Sequence, residues 1–527
     1  MKTKLIFSLI FLGLFSCTAD FEGINSNPNK PETVQPEFLL TTSQRETMNL
    51  YGGDMDGVVF FNYTHYFSGF QGEFQRYTTS VAPNNTYWSN TYIKCLQPVN
   101  QIIELYQDNT SYKNRVTIAK IWEAYIFSNT VSIWGSVPTT TSLQGTPAVA
   151  FQKEQDIYYS LLDQLKGLSD AINLNGDTYP AISDKIYGGN LLKWKKFANT
   201  LRLRLALRIS NADPTKAKSV IQEIAQDATG IISSDAESAA MTWGTTSDSW
   251  SYLYNRVVYN YTANVASIPV LCESLVYHTL PYGDARLPVY GQPATQGPSI
   301  GKYFGQNISY GGGGSYTTRT NPHTLLKQPD YSFIGARFLK PDAEYVFLSY
   351  AEACFSKAEA ALKGWWKDPN AQAYYYEGID ASYNHYGLSA AQATTYKNTP
   401  GIKWGTASDT TGRSAAFQDW MGICSSYVGT GDYIRQIVMQ HWLAMPNQGV
   451  DAWALIRRTQ ILQFEPQFGT YNGLYAYIPD RINYPGAEYS TNLVETTKAV
   501  TWLGGTDDLF TKLWFGLPHV KNPNLPF

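Results

Sequence analysis

Apolar positions repeat every three to four residues over much of the chain. Ile93, Leu96, Ile103 and Tyr106, with Asn100 in register, form one such stripe, and Ile118, Trp122, Ile126 and Ile133 form the next. The clearest is Ile157, Leu161, Leu165, Leu168 and Ile172. This spacing predicts paired amphipathic helices. A further helix is expected from Leu191 to Ile209, and Asp213-Pro214 reads as the N-cap and first residue of another. From Met241 to Arg337 the pattern breaks into "SDSWSYLYNRVVYNY", "DARLPVYGQPATQGPS" and "GKYFGQNISYGGGGSYTTR". Apart from a short helix near Val270 to Tyr277, this region reads as loops with brief hairpins. Helical spacing returns at "PDAEYVFLSYAEACFSKAEAALKG", Pro341 to Gly364, and Asp368-Pro369 caps a second helix in "NAQAYYYEGIDASYNHYG". Small alanines interleaved with large rings across a tight turn follow the pattern of tetratricopeptide-like helix pairs, although no clean period of about 34 residues is present. A last long helix is expected from Gly431 to Met445.

The N-terminus has a different logic. Lys2 and Lys4 precede an apolar run from Leu5 to Phe15, which has signal-peptide length and is too short to span a bilayer. Leu14-Phe15-Ser16-Cys17 places an aliphatic residue three positions before a cysteine and a small residue directly before it, and so resembles a lipoprotein processing site. Residues 1–16 then form the signal peptide, and Cys17 carries the lipid. Two or three acyl chains anchor stably where one binds only marginally. Residues 17–36 are rich in Asn, Pro, Thr and Glu and are expected to form a solvated tether, leaving 37–527 as one large body.

Composition narrows the ligand. Charged residues are 16% of the chain and the net charge is −3, with no basic arm, which argues against nucleic acid. Aromatics reach 15%, with 39 tyrosines. Many amphipathic rings and few charges suit neutral, hydroxylated ligands. The widely spaced Cys95, Cys272, Cys354 and Cys424 contain no C-x-x-C and sit in or beside apolar stretches, so they read as buried free thiols.

Other motifs have plain structural readings. In "KWKKFANTLRLRLALR", Lys193, Lys196, Thr200, Arg204 and Arg208 form a basic side next to an apolar stripe, which predicts an amphipathic helix with a solvated or partner-facing basic face. Glu352 and Glu359 lie about 10.5 Å apart along one helix, beyond the carboxyl spacing of a glycosidase pair, and are expected to ion-pair with residues such as Arg457 or Arg458. His441 reads as a satisfied core histidine and Trp88 as scaffold. The histidines have no metal-ligand spacing, and "GGDMDG" at 52–57 is a glycine turn lacking the oxygens of a calcium loop, so neither a metal nor a cofactor is expected.

The aromatic loops carry the functional expectation. A sugar offers an apolar C–H face for stacking and a rim of hydroxyls for polar side chains. Trp250, Tyr252, Tyr254, Tyr303, Tyr310, Tyr316 and Arg319 supply that combination, with Phe70 and Phe74 in "YFSGFQGEF" as further candidates.

Six blocks in order follow the processing site and its Asn/Pro tether: "GGNLLKWKKFANTLRLRLALRIS", "DARLPVYGQP", "LSYAEACFSKAEAALKGWW", "YYYEGIDASYNHYG", "QHWLAMPNQGVDAWALIRRT" and "IPDRINYPGAEYSTN". Together they resemble the SusD/RagB family of outer-membrane nutrient-binding lipoproteins, in its SusD-like branch, over nearly the whole chain. The resemblance implies a mainly α fold, in which tetratricopeptide-like pairs form the scaffold and long irregular loops the ligand surface. It also implies a SusC-like TonB-dependent outer-membrane barrel as partner, and oligosaccharides or peptides as ligand. The expected location is the outer membrane of a Gram-negative bacterium, lipid-anchored and facing outward. The expected activity is binding without catalysis; a surface-anchored glycosidase or peptidase is the alternative.

Overall fold

Pro36 opens the first described helix, α1 (Pro36–Asn49), in the N1 position where its missing N–H costs nothing. The computed structural model describes residues 34–68, 77, 81–139, 149–260, 269–297, 300–306, 331–409, 428–462, 464, 467–471 and 474–519. Helix α1 runs on as a π-helix, Leu50–Phe60. The 52–57 glycine turn expected from sequence is therefore helical: Gly52 lies under the Tyr345 ring, where a Cβ would come within 2.2 Å of it. Asp56 accepts a bond from the Gly449 N–H at 3.0 Å.

The expected helices follow as α2 (Gln97–Tyr106), α3 (Lys113–Trp134), α4 (Glu154–Ala171), α5 (Leu191–Arg208) and α6 (Pro214–Gln226). Each packs on its neighbour in sequence. Side chains start two of them: Asn190 accepts from Lys193 N at 3.0 Å, and Asp213 from Lys216 N at 2.9 Å with Pro214 at N1.

The expectation for Pro341–Gly364 needs correction. Its first part is a strand, β2 (Glu344–Leu348), antiparallel to β1 (Ala239–Thr242), with Thr242 opposite Glu344. "EYVFL" joins a β-branched residue to two aromatics, which fit a pleated surface better than a helix. Ser349 then caps α7 (Tyr350–Leu362), accepting from Glu352 N at 3.1 Å. Asn370, rather than Asp368, caps α8 (Ala371–His385). Helices α7 and α8 form the predicted pair, and the close approach is explicit: a Cβ on Gly378 would lie 2.6 Å from the Phe355 ring. Helices α9 (Tyr433–Leu443) and α10 (Gly449–Thr459) complete the scaffold. The strands among the described residues pair only two by two, so the fold is mainly α.

Trp122, Trp134, Trp194, Trp442 and Trp453 are fully buried. Trp122 meets Trp194 at 6.4 Å and Phe347 edge-on at 5.0 Å, which ties α3, α5 and β2 into one core. Trp88 is scaffold as expected, packed edge-on against Trp134 at 5.3 Å.

The basic helix α5 is a second correction. Arg204 and Arg208 do not face solvent. Arg204 grips both oxygens of Glu352 at 2.5 and 2.6 Å and reaches Asp451 at 2.9 Å, while Arg208 bonds Asp451 at 2.7 Å. Glu359 pairs with Arg458 at 2.8 and 2.6 Å, one of the two partners anticipated. Arg457 instead donates to the carbonyls of Ser132 and Asp480 and lies 3.5 Å from the Trp453 ring centroid. His441 is buried and stacked on Phe355, and burial lowers its pKa to about 3, so it is neutral. Neither ring nitrogen has a hydrogen-bond partner among the described residues, so it is a core histidine but not a satisfied one.

Candidate ligand-binding cleft

Past β1 the chain leaves the sheet at Trp243 and makes a tight turn. Gly244 N donates to Ser249 O at 2.8 Å, and Ser249 N to Thr246 O at 2.9 Å. A Cβ on Gly244 would sit 2.1 Å from Ser249 Oγ, so the turn needs glycine. Ser251 then fixes the chain to the β2 side: its N–H donates to Pro341 O and its hydroxyl to Lys340 O. The same oxygen accepts from Tyr254 N at 3.1 Å, starting a π-helical segment, Tyr254–Tyr259.

The wider π turn decides which rings meet. Trp250 and Tyr254 pack edge to face with centroids 5.1 Å apart, and Trp250 and Tyr259 lie 4.6 Å apart. Trp250 and Tyr254 are half-buried, whereas Tyr259 is 62% exposed. Trp250 is held in place by its own N–H, which donates to Thr245 O at 3.0 Å.

Of these rings, Trp250 lines a cleft of about 510 Å³. Trp250, Trp243 and Tyr252 give it aromatic surface, and Asn49, Asn255, Asp248, Arg45 and Lys185 give it polar surface. Its volume lies in the range of small-ligand sites. Trp243 is fixed by a 2.9 Å bond from its N–H to Asn49 Oδ1. The Tyr252 hydroxyl accepts from Arg256 Nη1 at 2.7 Å and faces Asp54. Burial and the neighbouring Asp54 push this hydroxyl up to about 12, so it stays protonated. Burial also raises the Asp54 carboxyl, opposed by the Tyr252 hydroxyl and Arg256. At the open rim, a bond from Thr246 lowers the Asp248 carboxyl.

Of the residues singled out from sequence, Trp250 and Tyr252 line the cleft, and Tyr254 packs on Trp250 beside it. Tyr303 does not join their ring cluster; it is half-buried and packed on the core. Cys17, Phe70, Phe74, Tyr310, Tyr316 and Arg319 lie outside the described residues. Sequence reasoning missed Tyr259, Trp243 and Asn255. Tyr259 stands in the quoted "SDSWSYLYNRVVYNY", but it reaches Trp250 at the end of the π-helical segment Tyr254–Tyr259, which no spacing in the sequence announces.

Residues 28–485 match the SusD-like family described as starch-binding and associating with the outer membrane. The chain belongs to that SusD-like family. Among solved structures, it is similar to a chitin-binding protein at 23% identity and a TM-score of 0.75, over 92% of this chain and 100% of that one. It is similar to a SusD homologue from Parabacteroides distasonis at 20% identity and a TM-score of 0.76, over 92% and 99% of the two chains. It is likewise similar to a chitin-binding SusD homologue from Flavobacterium johnsoniae at 21% identity and a TM-score of 0.70, over 93% and 98%. At these identities the likeness shows a shared SusD-like fold. No curated protein matches the chain. Among the described residues, no helix is long and apolar enough to cross a membrane, and no group of three or more His, Cys, Asp or Glu could hold a metal ion.

Proposed function

We propose that this SusD-like chain captures neutral oligosaccharides at the Trp250 cleft and passes them, uncleaved, to a SusC-like TonB-dependent barrel. The signal peptide of residues 1–16 is removed, Cys17 carries the lipid, and the tether of 17–36 holds the body outside the outer membrane. The observation that carries this reading is Trp250, half-buried and packed with Tyr254 and Tyr259, on the wall of a cleft that also offers Trp243, Tyr252, Asn49 and Asn255. Rings stack on a sugar's C–H face while amides bond its rim. The family description and the chitin-binding relatives support a glycan rather than a peptide. The conspicuous acids of the scaffold, Glu352 and Glu359, are engaged by Arg204 and Arg458, which favours binding over hydrolysis.

Titration calorimetry with chito- and malto-oligosaccharides tests the reading. Covering roughly 60 Å² of Trp250 at about 25 cal/mol/Å² is worth about 1.5 kcal/mol, so Trp250→Ala should weaken binding roughly tenfold. Affinity should fall between micromolar and millimolar and change little with salt, because stacking is not screened. An unchanged affinity in Trp250→Ala would move the site elsewhere. Turnover of the oligosaccharide that a single carboxylate substitution abolishes would establish the surface glycosidase instead. Fatty-acid labelling that persists in Cys17→Ser would refute the anchor.

A further inference from the structure

A second cleft, separate from the ring site, opens between α2, α3 and α4 and encloses about 540 Å³. Its chemistry differs from that of the first. One side is apolar, formed by Ile103 of α2, Phe127 of α3 and Ile157, Leu161 and Leu168 of α4, and the rest of the lining is polar, with Lys120, Glu123 and Asn100 beside neutral side chains such as Gln152 and Gln164. Two of these polar groups are unmatched among the described residues. The side-chain amide nitrogen of Asn100 is buried with no hydrogen-bond partner. Glu123 makes no hydrogen bond or ion pair among the described residues, and Lys120, one turn earlier on the same helix, does not close on it. Burial lifts the Glu123 carboxyl to about 7, with only the field of Lys120 opposing the rise. A carboxylate so placed gains most from a partner that brings a positive charge and its own N–H donors, because such charge-assisted bonds are about twice as strong as neutral ones.

We propose that this groove is a second ligand site that takes a small aliphatic primary amine, with its ammonium on Glu123 and its hydrocarbon body against Phe127, Ile157 and Leu161. The occupant follows from complementarity: a carboxylate with no partner among the described residues, an apolar side formed by Phe127, Ile157 and Leu161, and room for a small molecule. Phe127 is the one ring among the lining residues and is itself largely buried, so the groove offers little surface for stacking a sugar. The site therefore stands or falls independently of the Trp250 cleft.

The test is calorimetric titration of the folded protein at pH 8, where Glu123 is ionised, with hexylammonium and with 1-hexanol, which has the same body without the charge. The amine should bind roughly tenfold more tightly than the alcohol. Glu123→Gln should remove that preference while retaining the wild-type circular dichroism and melting temperature. Ser160→Trp, which fills the groove from its exposed edge, should weaken both probes. Equal affinity for the two probes, an amine preference that survives in Glu123→Gln, or no binding of either probe would each overturn the assignment.

Discussion

Replacing Arg286, within the "DARLPVY" block, with methionine tests how the scaffold beneath the loops is held. The guanidinium is fully buried. It donates to Asp284 at 3.0, 3.1 and 2.7 Å, to Ser382 Oγ at 3.0 Å and to Gln440 Oε1 at 2.7 Å, and lies over the rings of Tyr383 and Tyr396 at 5.2 and 5.4 Å. One side chain thus joins the loop to α8 and α9. Burial works against its charge, yet Asp284 raises its hold on the proton well above the ordinary value. Methionine keeps much of the volume but leaves Asp284, among the described residues, with the Tyr383 hydroxyl and a backbone N–H as donors. Breaking one side of a buried pair costs about 3–5 kcal/mol. With an unfolding entropy of about 2.1 cal/mol/K per residue over about 490 residues, that is a fall in melting temperature of about 3–5 °C. Asp284→Asn with Arg286→Met removes both charges and should recover more than half of the loss. Calorimetric melting and urea titration of the wild type, both single variants and the double variant give the coupling. A cost below about 1 kcal/mol in Arg286→Met, or a double variant as unstable as the sum of the singles, would refute the reasoning.

Three further outcomes are expected. Gly378→Ala drives a methyl into the Phe355 ring and should destabilise by about 1–3 kcal/mol, with partial recovery in Gly378→Ala/Phe355→Leu; both are read by urea denaturation. Burial raises the Glu154 carboxyl from 4.5 to about 7, against bonds from the N–H groups of Trp514 and Phe515, so the folded state holds a proton that the unfolded state releases. Its contribution is full below 4.5 and is lost as pH rises through about 7; the stability of the wild type relative to Glu154→Gln should fall by up to about 3 kcal/mol between pH 4.5 and 8, and a flat difference would contradict the assignment. Cys95, Cys272 and Cys354 are free and fully buried, and burial pushes the Cys95 thiol up to about 12. In a chain starting at residue 18 and carrying Cys424→Ser, a disulfide-exchange reagent should therefore find no reactive thiol until the protein unfolds.

The helical scaffold was legible in the sequence because its signals are local: a stripe repeating every three to four residues, a capping Asn or Asp, and a proline at the first helical turn all act within one or two turns of chain. The stripe from Ile157 to Ile172 and the cap at Asp213 read correctly for that reason. Burial of Cys95, Cys272 and Cys354 followed from their apolar surroundings in the same way. Non-local partners were not legible. Arg204 and Arg208 read as a solvated or partner-facing basic side because the acids that neutralise them, Glu352 and Asp451, arrive from α7 and α10, far along the chain. "EYVFL" became a strand because Ala239–Thr242 offered it an edge. The ring site shows the same division. Composition and the stretch around Trp250 marked where aromatics concentrate, but tertiary packing decided that Tyr259 would meet Trp250 while Tyr303 packs on the core. The sequence by itself determined what its near neighbours along the chain can enforce. Charge pairing, sheet edges and the membership of a cleft depend on groups that meet only when distant segments pack, and the tertiary structure alone decided them.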